Sequence, residues 1–188
     1  MLLNLAKIKN TFEPLSEGNV RLRLLSQGDL RTTLAWRNRD DIRHQFIHSD
    51  IITWENHLFW WERYQSKSDD FVFIIEETDK LKRPVGQTSL YNIDLVQSEA
   101  EYGRLMIGDP EARGKGVAIR AAAIVESWAF NRLSLKRLYC TVFKTNTTAR
   151  NLNEKCGFAI CGEHDDLYIM HLSNQDYFKG LNRTFKSL

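Results

Sequence analysis

The chain has 188 residues, of which 43% are hydrophobic and 27% are charged, as in ordinary globular proteins. Its formal net charge of +2 gives no general attraction to nucleic acid or to a membrane surface, so we expect neither as a partner. No window approaches the roughly 20 apolar residues of a membrane-spanning helix, and no signal-peptide cleavage site follows the N-terminal leucines.

The cysteines Cys140, Cys156 and Cys161 form no Cys-x-x-Cys pair and have no histidine pair at zinc-finger spacing. This usage favours reduced thiols over disulfide bonds, and it predicts a cytoplasmic protein without a metal cofactor. The glycines and prolines are scattered and mark no linker, so we expect a single domain over residues 1–188.

The N-terminal part of the chain predicts one strand followed by two helices. Residues 19–25 ("NVRLRLL") alternate apolar and polar side chains, as a half-buried strand does. Ser26 is suited to cap a first helix, and Thr53 to cap a second helix with the sequence "WENHLFWWERYQS". Helical spacing predicts that three aromatic side chains of these helices belong to the core: Trp36, Phe59 and Trp60.

The rest of the chain predicts six strands and two helices. The strands are expected at residues 70–77, 84–93, 98–108, 136–143, 158–164 and 166–172. The helices are expected at about residues 115–133 and 146–157. Gly103, inside the third of these strands from the N-terminus, indicates a bulge or a close approach of another group. The order predicts a mixed α/β domain with one central sheet of about seven strands flanked by helices.

The stretch Arg113-Gly114-Lys115-Gly116-Val117-Ala118 concentrates two glycines and two cations where a strand turns into a helix. Backbone N–H groups at a helix N-terminus bind phosphate, and glycines let the backbone approach the anion closely. The stretch is not a Walker A loop, because Gly116 follows Lys115 where Ser or Thr is required. On these residues alone, a phosphate site and a simple tight turn both remain open.

This stretch resembles the Arg/Gln-x-x-Gly-x-Gly/Ala signature of the GNAT superfamily of acetyl-CoA-dependent N-acetyltransferases. About thirty residues later, "VFKTNTTARNLNEKCGF" (142–158) resembles the second block of that family, a strand end with Asn followed by a helix closing in Glu-Lys-x-Gly-Phe. The resemblance implies a core over about residues 19–173, with an N-terminal extension over 1–18 and a C-terminal tail over 174–188. It also implies a sheet that splays between its fourth and fifth predicted strands.

In such a fold acetyl-CoA is the co-substrate, and its pantetheine arm lies between the splayed strands. The resemblance places the pyrophosphate on backbone N–H groups of the glycine-containing loop and the thioester carbonyl near a backbone N–H of the central strand. Asn146 matches the coenzyme-contacting Asn of the family, and it equally fits a helix N-cap. The expected coenzyme-binding residues are Leu105, Met106, Ile107, Arg113, Gly114, Lys115, Gly116, Val117, Ala118 and Asn146.

Glu101 stands two residues before Gly103, where many relatives carry a carboxylate that deprotonates the amine directly or through water. The resemblance therefore implies Glu101 as the catalytic base. The alternative is an ion-paired or solvated carboxylate, with proximity alone accelerating the reaction. Many relatives carry a Tyr at the position of Asn153 to protonate the leaving thiolate. Because an amide has no titratable proton, the resemblance here leaves that role to water or to no acid.

Acceptor choice in this family rests on the first two helices, here residues 36–64, which are rich in Trp, His and Arg. The pieces "WRN" and "HLFW" resemble the amino-sugar-nucleotide N-acetyltransferases and also the ribosomal-protein N-terminal acetyltransferases. The first branch implies a 4-amino sugar nucleotide as acceptor, with Arg37, Arg39 or Arg43 meeting its diphosphate. We take this acceptor as the leading hypothesis and assign three residues to its binding: Arg37, His57 and Tyr91.

Several alternatives stay open at this point. The acceptor groove can instead receive the free N-terminus of a ribosomal or other protein. An aminoglycoside is a third acceptor, although a polycation calls for a more acidic groove than "NRDDIRH" provides. The chain can also be a non-catalytic acetyl-CoA-binding module, and a homodimer is left open.

Overall fold

The protein is described here by a computed structural model covering residues 3–186, with side chains described through residue 180. Its centre is one mixed sheet of eight strands in the order β1-β2-β3-β4-β5-β6-β8-β7. The strands are β1 Leu15–Glu17, β2 Val20–Leu24, β3 Phe71–Glu77, β4 Arg83–Asp94, β5 Glu99–Ile107, β6 Arg137–Phe143, β7 Ala159–His164 and β8 Leu167–Ser173. Neighbouring strands run antiparallel except β5 and β6, which are parallel.

Seven α-helices accompany the sheet in the described residues. They are α1 Leu5–Asn10, α2 Leu30–Arg37, α3 Asp40–Arg43, α4 Trp54–Ser66, α5 Val117–Ser127, α6 Thr147–Lys155 and α7 Asn174–Lys186. The cap predicted at Thr53 is confirmed, because its side chain accepts the N–H of Asn56 at the start of α4. The long helix predicted to reach residue 133 continues past α5 as a π-helical turn, Trp128–Arg132.

The mixed α/β sheet fold is confirmed, with one strand more than the seven predicted. The additional strand β1 extends the sheet edge beside β2 and is joined to it through Gly18, which has a φ of 57°. Three residues are too few to display the alternation by which strands are recognised in a sequence. The helices α1 and α7 lie in the segments that the sequence assigned to an N-terminal extension and a C-terminal tail.

Strand β3 is buried on both faces, which explains why its sequence is a continuous apolar run. Phe71 and Phe73 pack against Trp128 with ring centroids 5.0 and 5.7 Å away. Val72 and Ile74 point to the other face and join a second cluster beneath α4. The core prediction holds for the partly buried Trp60, which packs on that cluster. It is wrong for Phe59, which is 61% exposed because its face of α4 points to solvent.

The sheet opens between β5 and β6. In the described part of both strands, ladder pairs join Glu99, Ala100 and Glu101 to Arg137, Leu138 and Tyr139, and beyond these the strands diverge. The predicted splay is thereby confirmed. On its other side β5 carries a bulge against β4, since two residues, Arg104 and Leu105, lie opposite the single Thr88. The irregularity predicted at Gly103 falls next to this bulge.

A buried carboxylate closes the hairpin between β3 and β4. The side chain of Glu77 accepts backbone N–H groups from Leu81, Lys80 and Asp79 and the amide of Asn19. The hydrogen bond from Leu81 is the largest of the causes that lower the pKa of Glu77 to about 2. This pKa lies below the value of about 4.3 for an unfolded Glu, so ionised Glu77 stabilises the fold above about pH 4.3.

We therefore expect Glu77→Gln to lower the free energy of unfolding at pH 7, and the difference from the parent protein to shrink as the pH falls towards 2. Urea unfolding at pH 7, 5 and 3 measures this difference. Glu62→Gln, on the exposed side of α4, is the matched control and should change little at any pH. A stability loss for Glu77→Gln that is independent of pH would contradict this account.

Candidate functional site

A cavity of about 760 Å³, the main cavity, lies where β5 and β6 part. Ten of the fourteen residues that the sequence assigned to the site line it. They are Arg37, Tyr91, Glu101, Leu105, Met106, Ile107, Arg113, Gly114, Ala118 and Asn146. The four that do not line it are His57, Lys115, Gly116 and Val117.

The loop from Arg113 to Gly116 brings backbone to the cavity at the start of α5. Gly114 and Gly116 have φ values of 72° and 75°, a region that disfavours any side chain. Gly116 is the N-cap residue of α5, and a Cβ built on Gly114 would meet nothing within 4 Å. Val117 is 2% exposed and belongs to the core, so only its backbone can take part in a site.

The cation Arg113 is partnered within the protein. Its Nη1 lies 2.7 Å from Asp41 Oδ2, and its Nε donates to the carbonyl of Ile107 at 3.1 Å. Asp41 lies on α3, so this pair joins the glycine loop to the first helices across the mouth of the cavity. Both side chains are about 40% exposed, so the pair orients the loop more than it stabilises the fold.

The second sequence block forms the opposite wall. Asn146 caps α6 by accepting the N–H of Ala149 at 3.0 Å, which confirms one of its two predicted roles. Asn153 follows two turns later, is 6% exposed, and donates its amide to the sulfur of Cys140 at 3.3 Å. Both Asn153 and Cys140 line the cavity. Where the resemblance leads one to expect a tyrosine, Asn153 thus places an amide that is hydrogen-bonded to the thiol of Cys140.

Glu101 lies at the fork, the place where β5 and β6 stop pairing and diverge. It is the last residue of β5 that pairs with β6, and it faces the main cavity. Its Oε1 accepts the hydroxyl of Tyr91 at 2.7 Å, and its Oε2 accepts the amide of Asn92 at 3.0 Å. Glu99, two residues earlier on the same face, is ion-paired with Arg137 and does not line the cavity.

Tyr91 links Glu101 to a further charge pair. The guanidinium carbon of Arg104 lies 3.8 Å from the centroid of the Tyr91 ring, and Arg104 Nη1 contacts both oxygens of Asp70 at 2.9 and 3.0 Å. Burial and then the neighbouring Glu101 raise the pKa of Tyr91, so its hydroxyl stays protonated at neutral pH. The hydroxyl is therefore a donor to the carboxylate.

The cap loop, residues 44–52 between α3 and α4, closes one side of the main cavity. Arg37 holds this loop: its Nη2 donates to the carbonyl of His48 at 2.5 Å, and its guanidinium carbon lies 4.0 Å from the ring centroid of Phe46. Arg37 makes no ion pair in the described residues, and its Nη1 is buried without a hydrogen-bond partner there. Burial accordingly lowers the pKa of Arg37.

The other two arginines proposed for phosphate contact are directed elsewhere. Arg39 donates to the carbonyl of Gly108 at 2.6 Å and pairs with Asp41. Arg43 donates to the carbonyl of Ser49 and pairs with Asp40, so it anchors the cap loop from outside. Neither lines the main cavity. Of the three, the structure leaves Arg37 as the candidate contact.

The assignment of His57 to acceptor binding is not supported by its position. His57 is 8% exposed, and its ring stacks on that of Trp60, also on α4, with the centroids 5.2 Å apart. It does not line the main cavity. Burial lowers the pKa of His57, which keeps its ring neutral. A histidine within a helix beside the site can contact a substrate or pack in the core, and the sequence does not distinguish the two.

The structure adds site residues that the sequence did not single out. They are Asp41, Phe46, Ile47, His48, Asn92 and Arg104. A signal was present for Arg104 in the irregularity expected at Gly103, but the direction of a side chain at a bulge cannot be read from a sequence. Among residues 3–186, no cluster of three or more His, Cys, Asp or Glu side chains is arranged as metal ligands, and none of the helices could span a bilayer.

Comparisons with known proteins agree with this geometry. Residues 19–159 match the family model for the acetyltransferase (GNAT) domain. Spermidine N(1)-acetyltransferase of Escherichia coli (strain K12) is 29% identical over 148 residues, which are 79% of this chain and 77% of that protein.

Two solved structures share the fold. Spermidine N-acetyltransferase from Vibrio cholerae, in complex with CoA and spermine, superposes with a TM-score of 0.77 at 24% identity and covers 86% of this chain and 99% of that chain. Apo FdhC, a nucleotide-linked sugar GNAT, gives a TM-score of 0.76 at 21% identity and covers 92% and 96%. The family model matches residues 19–159, which are most of the chain, and the sheet has the expected fork. The chain therefore belongs to the GNAT family of acetyltransferases.

Proposed function

We propose that the protein is an acetyl-CoA-dependent N-acetyltransferase that acts on a primary amine, the amine being an amino sugar carried on a nucleotide. The observation that carries the first part is the position of Glu101 at the point of the fork, facing the main cavity and held by two donors. A half-buried carboxylate in this place can accept the proton of an attacking amine.

The residues of the fork fit acetyl-CoA. Acetyl-CoA would bring the acetyl group as a thioester, with its pyrophosphate at the start of α5. There Gly114 and Gly116 present bare backbone, and the positive end of the α5 dipole favours an anion. Ala118 and Asn146 would line the two sides of the pantetheine arm, and the diverging strands leave room for it between them.

Glu101 would take the proton of the amine as the nitrogen attacks the thioester carbonyl, forming the C–N bond and breaking the C–S bond. Because Tyr91 and Asn92 both donate to the carboxylate, they fix its direction. Asn153 offers no proton to the departing sulfur, so the leaving thiolate is protonated by water or released as the anion.

The charges of the cavity support the choice of acceptor. Three arginines line it, Arg37, Arg104 and Arg113, against two carboxylates, Asp41 and Glu101. Asp41 and Arg104 are each paired within the protein, whereas Arg37 is not. A cavity with this balance suits a neutral or anionic acceptor, and an unpaired guanidinium beside Phe46 suits a phosphorylated, aromatic group such as a nucleotide.

A polyamine acceptor is the second candidate, because the relative with 29% identity is named a spermidine N(1)-acetyltransferase. A polyamine or an aminoglycoside carries several positive charges and needs a surplus of carboxylates, which the main cavity does not offer in the described residues. A peptide N-terminus remains the alternative among neutral acceptors.

We expect Gly116→Glu to abolish acetyl-CoA binding measured by calorimetry. The substitution forces a side chain into a left-handed position, brings its Cβ to 3.1 Å from Arg120 Nη1, and adds a carboxylate beside the phosphate site. Gly116→Ala, which adds strain without charge, should weaken binding less. Val96→Glu adds the same charge at an exposed position and should bind normally. Unchanged affinity in folded Gly116→Glu would discard the proposed coenzyme site.

Glu101→Gln should lower kcat by roughly 10²- to 10⁴-fold, the usual effect of losing a general base, while acetyl-CoA affinity stays unchanged. Glu99→Gln is the matched control, because Glu99 lies on the same face of β5 outside the main cavity. Thiol release under saturating acetyl-CoA measures both variants. If the two variants were equally active, Glu101 would not be the base.

The acceptor is tested by comparing thiol release with a nucleotide-linked 4-amino sugar, spermidine, an aminoglycoside and a peptide with a free N-terminus. We expect the sugar nucleotide to be turned over fastest. Arg37→Met should raise its KM by roughly 10- to 100-fold, as for one lost charge-assisted hydrogen bond. Arg43→Met also loosens the cap loop but lies outside the cavity, so it controls for loop mobility. Faster turnover of any other acceptor would refute the sugar-nucleotide assignment.

A further inference from the structure

We propose that Asp70 and Arg104 are positioning residues for the acetyl transfer. They clamp the ring of Tyr91, so that its hydroxyl keeps its hydrogen bond to the carboxylate of Glu101. The inference rests on the proposed role of Glu101 as the base. It adds a defined line of contacts that runs from Asp70, just before β3, through Arg104 and Tyr91 to the carboxylate of Glu101.

The anchor of this line is the carboxylate of Asp70, the residue that precedes β3. Asp70 is 3% exposed and accepts Arg104 Nη1 on both oxygens at 2.9 and 3.0 Å. A buried carboxylate holds its cation firmly, because removing one partner leaves a charge that is neither solvated nor paired. Arg104 therefore has one fixed position, although it lines an open cavity.

The bulge of β5 directs Arg104 to this position. Glu101 and Gly103 lie on one face of the strand, and regular alternation would send Arg104 to the opposite face, beside Tyr102. Arg104 instead has a φ of 52°, and its guanidinium reaches the ring of Tyr91 on the same face as Glu101. A left-handed conformation is costly for a residue other than Gly, Asn or Asp, and the contacts of Arg104 hold it there.

Tyr91 is held from two sides. The guanidinium of Arg104 covers its ring at 3.8 Å, and Gly103 leaves space for the hydroxyl, since a Cβ at Gly103 would lie 3.2 Å from the oxygen. The hydroxyl then donates to Glu101 Oε1 at 2.7 Å. Because Tyr91 donates to Oε1, it sets the orientation of the Glu101 carboxylate towards an incoming amine. Arg104 in turn holds the ring of Tyr91.

Loss of the clamp should therefore lower kcat, because the carboxylate loses its orientation, and should leave the affinity for acetyl-CoA unchanged. The other titratable or charged groups near Glu101 are Tyr139 and Cys140 on β6 and the ion pair of Glu99 with Arg137, and none of these is altered by the substitutions below.

The test uses the full chain with Tyr91→Phe, Asp70→Asn and Arg104→Lys, each also combined with Tyr91→Phe. Arg104→Lys keeps the charge for Asp70 but loses the planar group that covers the ring, so it preserves the fold where Asp70→Asn does not. We expect each single variant to lower kcat by about 10-fold, as for one hydrogen bond to a charged group. Acetyl-CoA affinity should stay unchanged.

The decisive result is the double variant. If Asp70 and Arg104 act through Tyr91, adding either substitution to Tyr91→Phe should cause no further loss of kcat. Multiplied losses would overturn the proposal, because they would mean that Arg104 acts on the substrate or on the fold independently of Tyr91.

Asp29→Asn is the matched structural control. It breaks another half-buried pair, in which Arg23 contacts both oxygens of Asp29 at 2.7 Å, far from Tyr91. This variant should lose stability and keep the parent kcat. If Arg104→Lys behaves in the same way, the positioning role is refuted while Glu101 remains the base. A fully active Glu101→Gln would remove the proposed base and this inference with it.

Discussion

The divergence of β5 from β6 is the constraint on which the rest of the structure depends. The two strands share ladder pairs at three positions and, in the residues described, at none beyond Glu101. Backbone N–H and C=O groups that face a neighbouring strand without pairing with it must find other partners, because leaving them buried and unsatisfied costs free energy. An extended molecule with amide groups of its own can satisfy them. The pantetheine arm of acetyl-CoA is such a molecule, which supports the proposal that the fork is the coenzyme site.

The cost of the fork is limited by what surrounds it. On the N-terminal side, β3 is buried on both faces by α5 and α4, so half of the sheet is a rigid support. On the other side, β6 keeps a complete ladder with β8 over seven residues. Two residues with an irregular backbone, Asn92 and Arg104, lie next to Glu101 and have φ values of 50° and 52°. Residues in this conformation persist only where contacts over-determine them, and here those contacts lead to the carboxylate.

The sequence predicted the parts of this fold that repeat a period. The strands β2 to β8 and the helices α2, α4, α5 and α6 follow from alternation, helical spacing and capping residues. Four elements were missed: β1 has three residues, α3 has four, α1 has six with none buried, and the 13-residue α7 lies in the segment that was assigned to a tail.

The candidate site also has a part that the sequence predicted and a part that it did not. Ten assigned residues line the cavity because the motif fixes a strand end and a helix start in space. The positions of side chains at the bulge and in the cap loop could not be predicted, since these depend on φ values and on long-range pairs. Arg104 with Asp70 is separated by 34 residues, and Arg39 with Gly108 by 69. His57, which was assigned to acceptor binding, is buried against Trp60 and does not line the cavity.

The two faces of the fork handle protons differently, and this asymmetry has a chemical reason. On one side the carboxylate of Glu101, the base that we propose, accepts two hydrogen bonds, whereas the facing wall offers the amide of Asn153 on α6 and the thiol of Cys140 on β6. Burial raises the pKa of Cys140 to about 12, so this thiol does not give up its proton at neutral pH. A thiol has an ordinary pKa of about 8.5, so a leaving thiolate is nearly stable in neutral water and gains little from an acid. An amine with a pKa well above 7 cannot react until it loses its proton. Deprotonation of the amine needs assistance, and this fold places a carboxylate where that step would occur. Protonation of the leaving thiolate does not need it and is left to solvent.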